Sequence, residues 1–179
     1  MNLPNILTLL RVLLIPLFVI FIINKYSLEA LITFGVAGLT DGIDGLLARL
    51  THQRTELGAY LDPIADKLLL SSAFVTLAIT EGIPSWVSVI VVTRDVIILI
   101  GFLMFFLTNH RPKMGPSVVS KITTFLQIST VLLALSRDYA LFPPFILTLT
   151  LYGVVLFTIL SGIHYIYVGT LILSEKRNH

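Results

Sequence analysis

Six stretches of about 20 mostly apolar residues, separated by short polar or turn-forming segments, constrain this chain more than any other feature. They fall at roughly 4–24, 29–49, 60–80, 84–108, 117–136 and 144–173. The breaks between them carry turn or charge signals: Asn24-Lys25, the polar run 50–58, Glu81 to Pro84, Asn109 to Pro116, and Arg137 to Pro144. Each stretch is long enough for a helix that crosses a bilayer. The expected fold is therefore all-α, a polytopic membrane protein of about six transmembrane helices, with residues 1–179 forming a single domain.

Composition agrees. Of the 179 residues, 56% are hydrophobic and 12% are charged, about half the charged share of a soluble domain. The net charge is only +2, and the absence of a basic block argues against nucleic acid as a partner. There is no cysteine, which excludes disulfides and thiolate metal sites. The first stretch lacks a basic leader and a small-residue cleavage site, so it is read as a retained span.

Lys and Arg sort to one side. Arg49 and Arg54, then Arg111, Lys113 and Lys121, then Lys176 and Arg177 lie in segments that an even number of spans places together. The alternate loops hold Lys25 and Arg137. The richer side is expected to be cytoplasmic.

Against this apolar background stand four of the chain's ten acidic residues, Asp41, Asp44, Asp62 and Asp66, within one short segment. Carboxylates in or near a bilayer are costly and mark function by default. Asp41 and Asp44 are three apart and Asp62 and Asp66 four apart, so each pair shares a helix face. A loop of about ten residues between the helices would make them antiparallel neighbours and bring the pairs together. A single intramembrane Asp can serve as a structural hydrogen bonder or part of an ion path. Four converging carboxylates exceed either need, and they require counter-charge, which hard divalent cations supply through oxygen ligands. Arg49 adds a permanently charged fork suited to phosphate, and Gly45 and Gly58 allow close approach to the backbone. Together these residues read as a pyrophosphate-handling site.

The spacing Asp41-x2-Asp44-Gly45-x2-Ala48-Arg49-x8-Gly58-x3-Asp62-x3-Asp66 resembles the motif of the CDP-alcohol phosphotransferase family of integral membrane enzymes, with every position filled. The segment Pro4-Asn5-Ile-Leu-Thr8-Leu-Leu-Arg11 is similar to the N-terminus of that family's bacterial glycerophospholipid branch. The resemblance implies transfer of a phosphatidyl group from CDP-diacylglycerol to a hydroxyl, with release of CMP. It implies Asp41, Asp44, Asp62 and Asp66 as ligands of Mg²⁺ or Mn²⁺, two per site, and Asp66 also as the general base. Asn5, Thr8, Asp44, Gly45, Ala48, Arg49 and Gly58 would contact the CDP moiety, although Asn5 and Thr8 could equally be helix caps. It further implies a homodimer and a bacterial cytoplasmic membrane, with the site facing the cytoplasm.

Arg94, Asp95, Arg111 and Lys121 bear on the acceptor. An Arg inside a span must be paired or functional. Arg94 is therefore expected either to pair with Asp95 or the aspartate cluster, or to contact substrate, and Lys121 either to bind an acceptor phosphate or to snorkel. The Arg94-Asp95 pair and Ser120-Lys121-x-x-Thr124-x-x-Gln127 resemble the eukaryotic-type cardiolipin synthases, which favours phosphatidylglycerol as acceptor. Glycerol 3-phosphate, the acceptor of the phosphatidylglycerophosphate synthases, is the alternative. A membrane prenyltransferase also uses aspartates and Mg²⁺, but in motifs set far apart on a longer chain. A divalent-cation carrier would need a polar path across the whole bilayer.

Among the remaining polar residues, His52 and Arg54 read as a solvated loop, with headgroup contact as the alternative. His164 reads as a packed or hydrogen-bonded histidine. Trp86 reads as an interfacial anchor, and Tyr165 and Tyr167 as anchors or packing residues.

Overall fold

The structure, a computed structural model, describes residues 3–50, 56–107, 117–139 and 141–175, with the side chains of 3–7, 41–50, 56–63, 102–107, 169 and 171–175 outside that description. The described residues form six α-helices and one short 3₁₀ turn, with no strand. The helices are α1 (Leu3–Ile23), α2 (Ser27–Leu50), α3 (Glu56–Ile79), α4 (Ser85–Leu107), α5 (Val118–Leu135) and α6 (Pro144–Glu175), and the 3₁₀ turn is Arg137–Tyr139. The expected all-α class and number of helices hold.

Beside an apolar core, the bundle buries charged and polar side chains and exposes many apolar ones. Arg11, Arg94, Asp95 and Gln127 are buried, whereas Leu13, Leu39, Ile79, Val89, Phe125 and Leu149 are exposed. A hydrocarbon solvent makes the exposed apolar side chains favourable. In such a solvent each backbone polar group must be satisfied within its own segment, which selects helix. The hydroxyls follow the same rule: Thr33, Thr76 and Thr130 donate to the carbonyls of Glu29, Ser72 and Leu126 at 2.7–2.8 Å. By length and composition α5 and the segment Pro144–Val168 of α6 can each cross a membrane.

The turns are built by specific caps. At the end of α1 the Tyr26 amide donates to Phe21 O at 2.8 Å and the Lys25 amide to Ile22 O at 3.0 Å, with Lys25 left-handed at φ 62°. This is a Schellman motif, and the Tyr26 ring meets Phe21 edge-on at 6.5 Å to complete its apolar contact. The end of α3 repeats the pattern. Gly82 donates to Leu77 O at 2.8 Å, Glu81 to Ala78 O at 3.3 Å, and Glu81 has φ 61°. A Cβ on Gly82 would lie 3.2 Å from Leu77 Cδ2, so a larger residue there requires the Leu77 side chain to shift by a few tenths of an ångström. Ser117 caps α5 by accepting from the Ser120 amide at 3.1 Å.

Two expectations change. The third helix begins at Glu56, not near residue 60, so only residues 51–55 connect it to α2 and Gly58 lies inside α3. Polar residues at the end of a spanning helix reach past the hydrocarbon, so the helix runs on where apolar character stops. In addition, α2 and α3 both pack on α1, which is their common neighbour. The remaining close packings are α3 on α4, α4 on α6, and α5 on α6.

The interior is layered along the bundle axis. Phe18, Ile22, Phe34, Leu70, Phe74, Val87, Val91, Val131 and Val154 form an apolar core in the half nearest the 24–26 and 80–84 turns. Phe18 and Phe34 stack there with centroids 5.5 Å apart. The other half buries Thr8, Arg11, Arg94, Asp95, Thr123, Gln127, Thr158 and Ser161. The aspartate-bearing ends of α2 and α3 belong to this second half.

Candidate active site

Alternating helix directions set the last turns of α2 at the same end of the bundle as the first turns of α1 and α3. Asp41 and Asp44 lie in the last three turns of α2, and Asp62 and Asp66 in the first three of α3. Both pairs therefore occupy the same end of the bundle. The side chains of Asp41, Asp44, Asp62, Gly45, Ala48, Arg49, Gly58 and Asn5 lie outside the described residues, as do Arg111, His52 and Arg54. Among the described residues no group of three or more His, Cys, Asp or Glu could hold a metal. As a donor set, four carboxylates carried by two helices fit a hard divalent cation by their chemistry.

Asp66 is half-buried. It lies ten residues into α3, about 15 Å from the helix start at 1.5 Å per residue. It is thus set about three turns inside the helix rather than at its end. Thr8 is fully buried and sits inside α1, which removes the capping alternative for it. Arg11 is also fully buried, one turn further along α1 from Thr8. The sequence reading did not single it out; the available signal was an Arg in an otherwise apolar span. Its guanidinium puts a permanent positive charge into the half of the bundle that carries the aspartates.

The expected Arg94–Asp95 pair is formed, inside a larger network. Arg94 Nη1 donates to Asp95 Oδ1 at 2.7 Å. Lys67, the residue after Asp66, donates to the same oxygen from α3 at 2.8 Å. Arg94 Nε donates to Ser161 Oγ of α6 at 3.2 Å, and Nη2 donates to that oxygen at 2.5 Å and to Ser120 Oγ of α5 at 2.8 Å. The Arg94 guanidinium also lies over the Tyr165 ring, 5.8 Å from its centroid. Gly162 lies against the Arg94 side chain, where a Cβ would meet Arg94 Cγ at 3.8 Å, an ordinary van der Waals contact. Both Arg94 and Asp95 are only 3% exposed. Asp95 and Arg94 together thus tie four helices, the carboxylate joining α3 to α4 and the guanidinium joining α4 to α5 and α6. Asp95 Oδ2 is buried without a hydrogen-bond partner among the described residues, and so are both amide atoms of Gln127.

Lys121 is exposed on α5. It lines a cavity of about 370 Å³ with Ser120, Thr124, Phe125 and Ile128. Ser120 therefore joins this cavity to the Arg94 network. A larger cavity of about 710 Å³ lies between the α3–α4 turn and the start of α6, at the bundle end opposite the aspartates. The apolar core separates the two ends. Outside the site, Trp86 is half-exposed at the start of α4, and Tyr167 is exposed. His164 is also exposed rather than packed, its ring edge-on to Tyr165 at 6.2 Å.

Comparison with known proteins bears on the same segment. A family model described as CDP-alcohol phosphatidyltransferase matches residues 1–167. The CDP-diacylglycerol–glycerol-3-phosphate 3-phosphatidyltransferase of Bacillus subtilis is 32% identical over 181 aligned positions, covering 92% of this chain and 93% of its own. The enzyme of the same name from Pseudomonas fluorescens is 39% identical over 104 residues, 55% of this chain and 53% of its own. The human cardiolipin synthase (CMP-forming) is 32% identical over 151 residues, 75% of this chain and 50% of its own.

Proposed function

The chain belongs to the CDP-alcohol phosphatidyltransferase family, and from that premise we propose that it transfers the phosphatidyl group of CDP-diacylglycerol to a hydroxyl of a glycerol-type acceptor, releasing CMP. It is an enzyme of phospholipid synthesis, as its relatives' names indicate. The acceptor oxygen forms a bond to the phosphorus next to the lipid, the P–O bond to CMP breaks, and CMP leaves with the electron pair. Asp66 takes the acceptor's proton. Asp41, Asp44, Asp62 and Asp66 would hold Mg²⁺ or Mn²⁺, two ions per site, which would neutralise charge on the diphosphate. Asn5, Thr8, Gly45, Ala48, Arg49 and Gly58 cradle the CDP moiety. We read the enzyme as a homodimer in the membrane, with each site open to the cytoplasm.

Phosphatidylglycerol is the acceptor we favour. The observation that carries this is the Lys121 cavity: one cation set among the apolar side chains of Phe125 and Ile128 suits the single charge of a lipid diester. Glycerol 3-phosphate is the second reading, favoured by the near full-length match to the Bacillus subtilis enzyme. The test offers purified protein CDP-diacylglycerol and Mg²⁺ or Mn²⁺ with each acceptor separately. Turnover with phosphatidylglycerol is expected. Turnover with glycerol 3-phosphate alone would reverse the assignment, and no CMP from either would overturn the function.

A further inference from the structure

Lys67 was not among the residues that the sequence singled out, yet its surroundings are specific. Among the described residues its ammonium makes one hydrogen bond, to Asp95 Oδ1 at 2.8 Å. Asp95 already receives Arg94 at 2.7 Å. Taken by itself, the trio holds two cations and one carboxylate, a formal surplus of one positive charge. Arg94 is committed, since each of its three nitrogens donates to Asp95, Ser120 or Ser161. Lys67 is different: its side chain is 21% exposed, against 3–4% for its two partners. An ammonium has three donors, and Asp95 accepts from one of them. Asp66 is the next residue along the helix, but neighbouring positions on a helix do not face each other. An excess charge in a bilayer is costly unless it meets an anion.

We propose that Lys67, held in place by Asp95, is an anion-binding residue of the active site, and that its ligand is a phosphate oxygen of one of the two substrates. This deepens the functional reading above and rests on it. Asp95 is then a positioning residue, fixing where the ammonium stands beside the Asp66 level. Arg94 anchors that carboxylate to α5 and α6.

The charge count makes the experiment clean. Removing Lys67 leaves Arg94 and Asp95 as a neutral buried pair, so Lys67→Met is expected to fold, with Lys67→Gln as a second neutral variant. The KM for CDP-diacylglycerol, the KM for the acceptor and kcat are measured separately on the full-length protein in mixed micelles. Lys67→Met is expected to raise one KM roughly ten- to a hundredfold, the worth of a hydrogen bond to a charged group, and to leave the thermal midpoint near wild type. A rise for CDP-diacylglycerol assigns the phosphate to the donor, and a rise for the acceptor assigns it there. Lys67→Arg is expected to restore most of the loss. Both KM values within twofold of wild type in Lys67→Met and Lys67→Gln would overturn the proposal. So would a loss confined to stability. An inactive wild type would overturn the functional reading as well, whereas an active wild type with indifferent Lys67 variants overturns this inference alone.

Discussion

Arg94 and Asp95, consecutive residues of α4, form an ion pair 2.7 Å long with both side chains almost wholly buried. The pair lies about 14 Å from the start of α4, where a lone charge of either sign would be expensive. Asp95→Asn leaves Arg94 and Lys67 facing each other without their carboxylate. Breaking a buried pair in this way costs about 3–5 kcal/mol. A large drop in the thermal midpoint in detergent is expected, with loss of folded protein at physiological temperature. A midpoint unchanged from wild type would show that the network carries no structural load.

Asp66→Asn tests the base. The amide keeps the volume of the carboxylate but cannot accept a proton at neutral pH. Turnover is expected to fall by about 10²–10⁴-fold, the usual contribution of a general base, while the thermal midpoint stays close to wild type. Chelation of divalent cations is expected to abolish CMP release, with recovery on adding Mg²⁺ or Mn²⁺. Near-normal rates in Asp66→Asn would remove this residue from the chemistry.

How much of this was readable beforehand differs by level. The helices were legible because a bilayer imposes one length and one polarity on each span, and Pro84 and Pro144 marked where two of them restart. The start of α3 was not, because polar residues such as Glu56 end the apolar signal before they end the helix. The aspartate motif was legible from spacing alone. The partners of Arg94 were only half legible: Asp95 is its neighbour in sequence, whereas Ser120, Ser161 and Lys67 come from three other helices. Lys67 itself gave no signal of its own, since a Lys beside an Asp reads as an ordinary charge at a helix end.

Lys121→Met bears on the acceptor cavity. Lys121 is an exposed cation, so its contribution is modest and sensitive to salt. The KM for the preferred acceptor is expected to rise roughly three- to tenfold, about 0.6–1.4 kcal/mol, with the KM for CDP-diacylglycerol unchanged. An equal rise in both constants would mean that Lys121 acts through the membrane surface, not through the cavity it lines.

Glu81 offers a test remote from the chemistry. It occupies the left-handed C′ position of the Schellman motif that ends α3, at φ 61°. An L-residue there carries a Cβ too close to its own carbonyl, at a cost of about 1–2 kcal/mol, and glycine carries none. The next position already holds Gly82, so the turn does not depend on the Glu81 side chain for its hydrogen bonds. Glu81→Gly is expected to stabilise the protein by roughly 0.5–1 kcal/mol, the strain relieved less the extra freedom that glycine gives the unfolded chain. The gain should appear as a higher thermal midpoint with unchanged kcat and KM, because Glu81 lies at the end of the bundle away from Asp66. A lower midpoint would mean that the Glu81 carboxylate contributes more at this turn than its backbone strain costs.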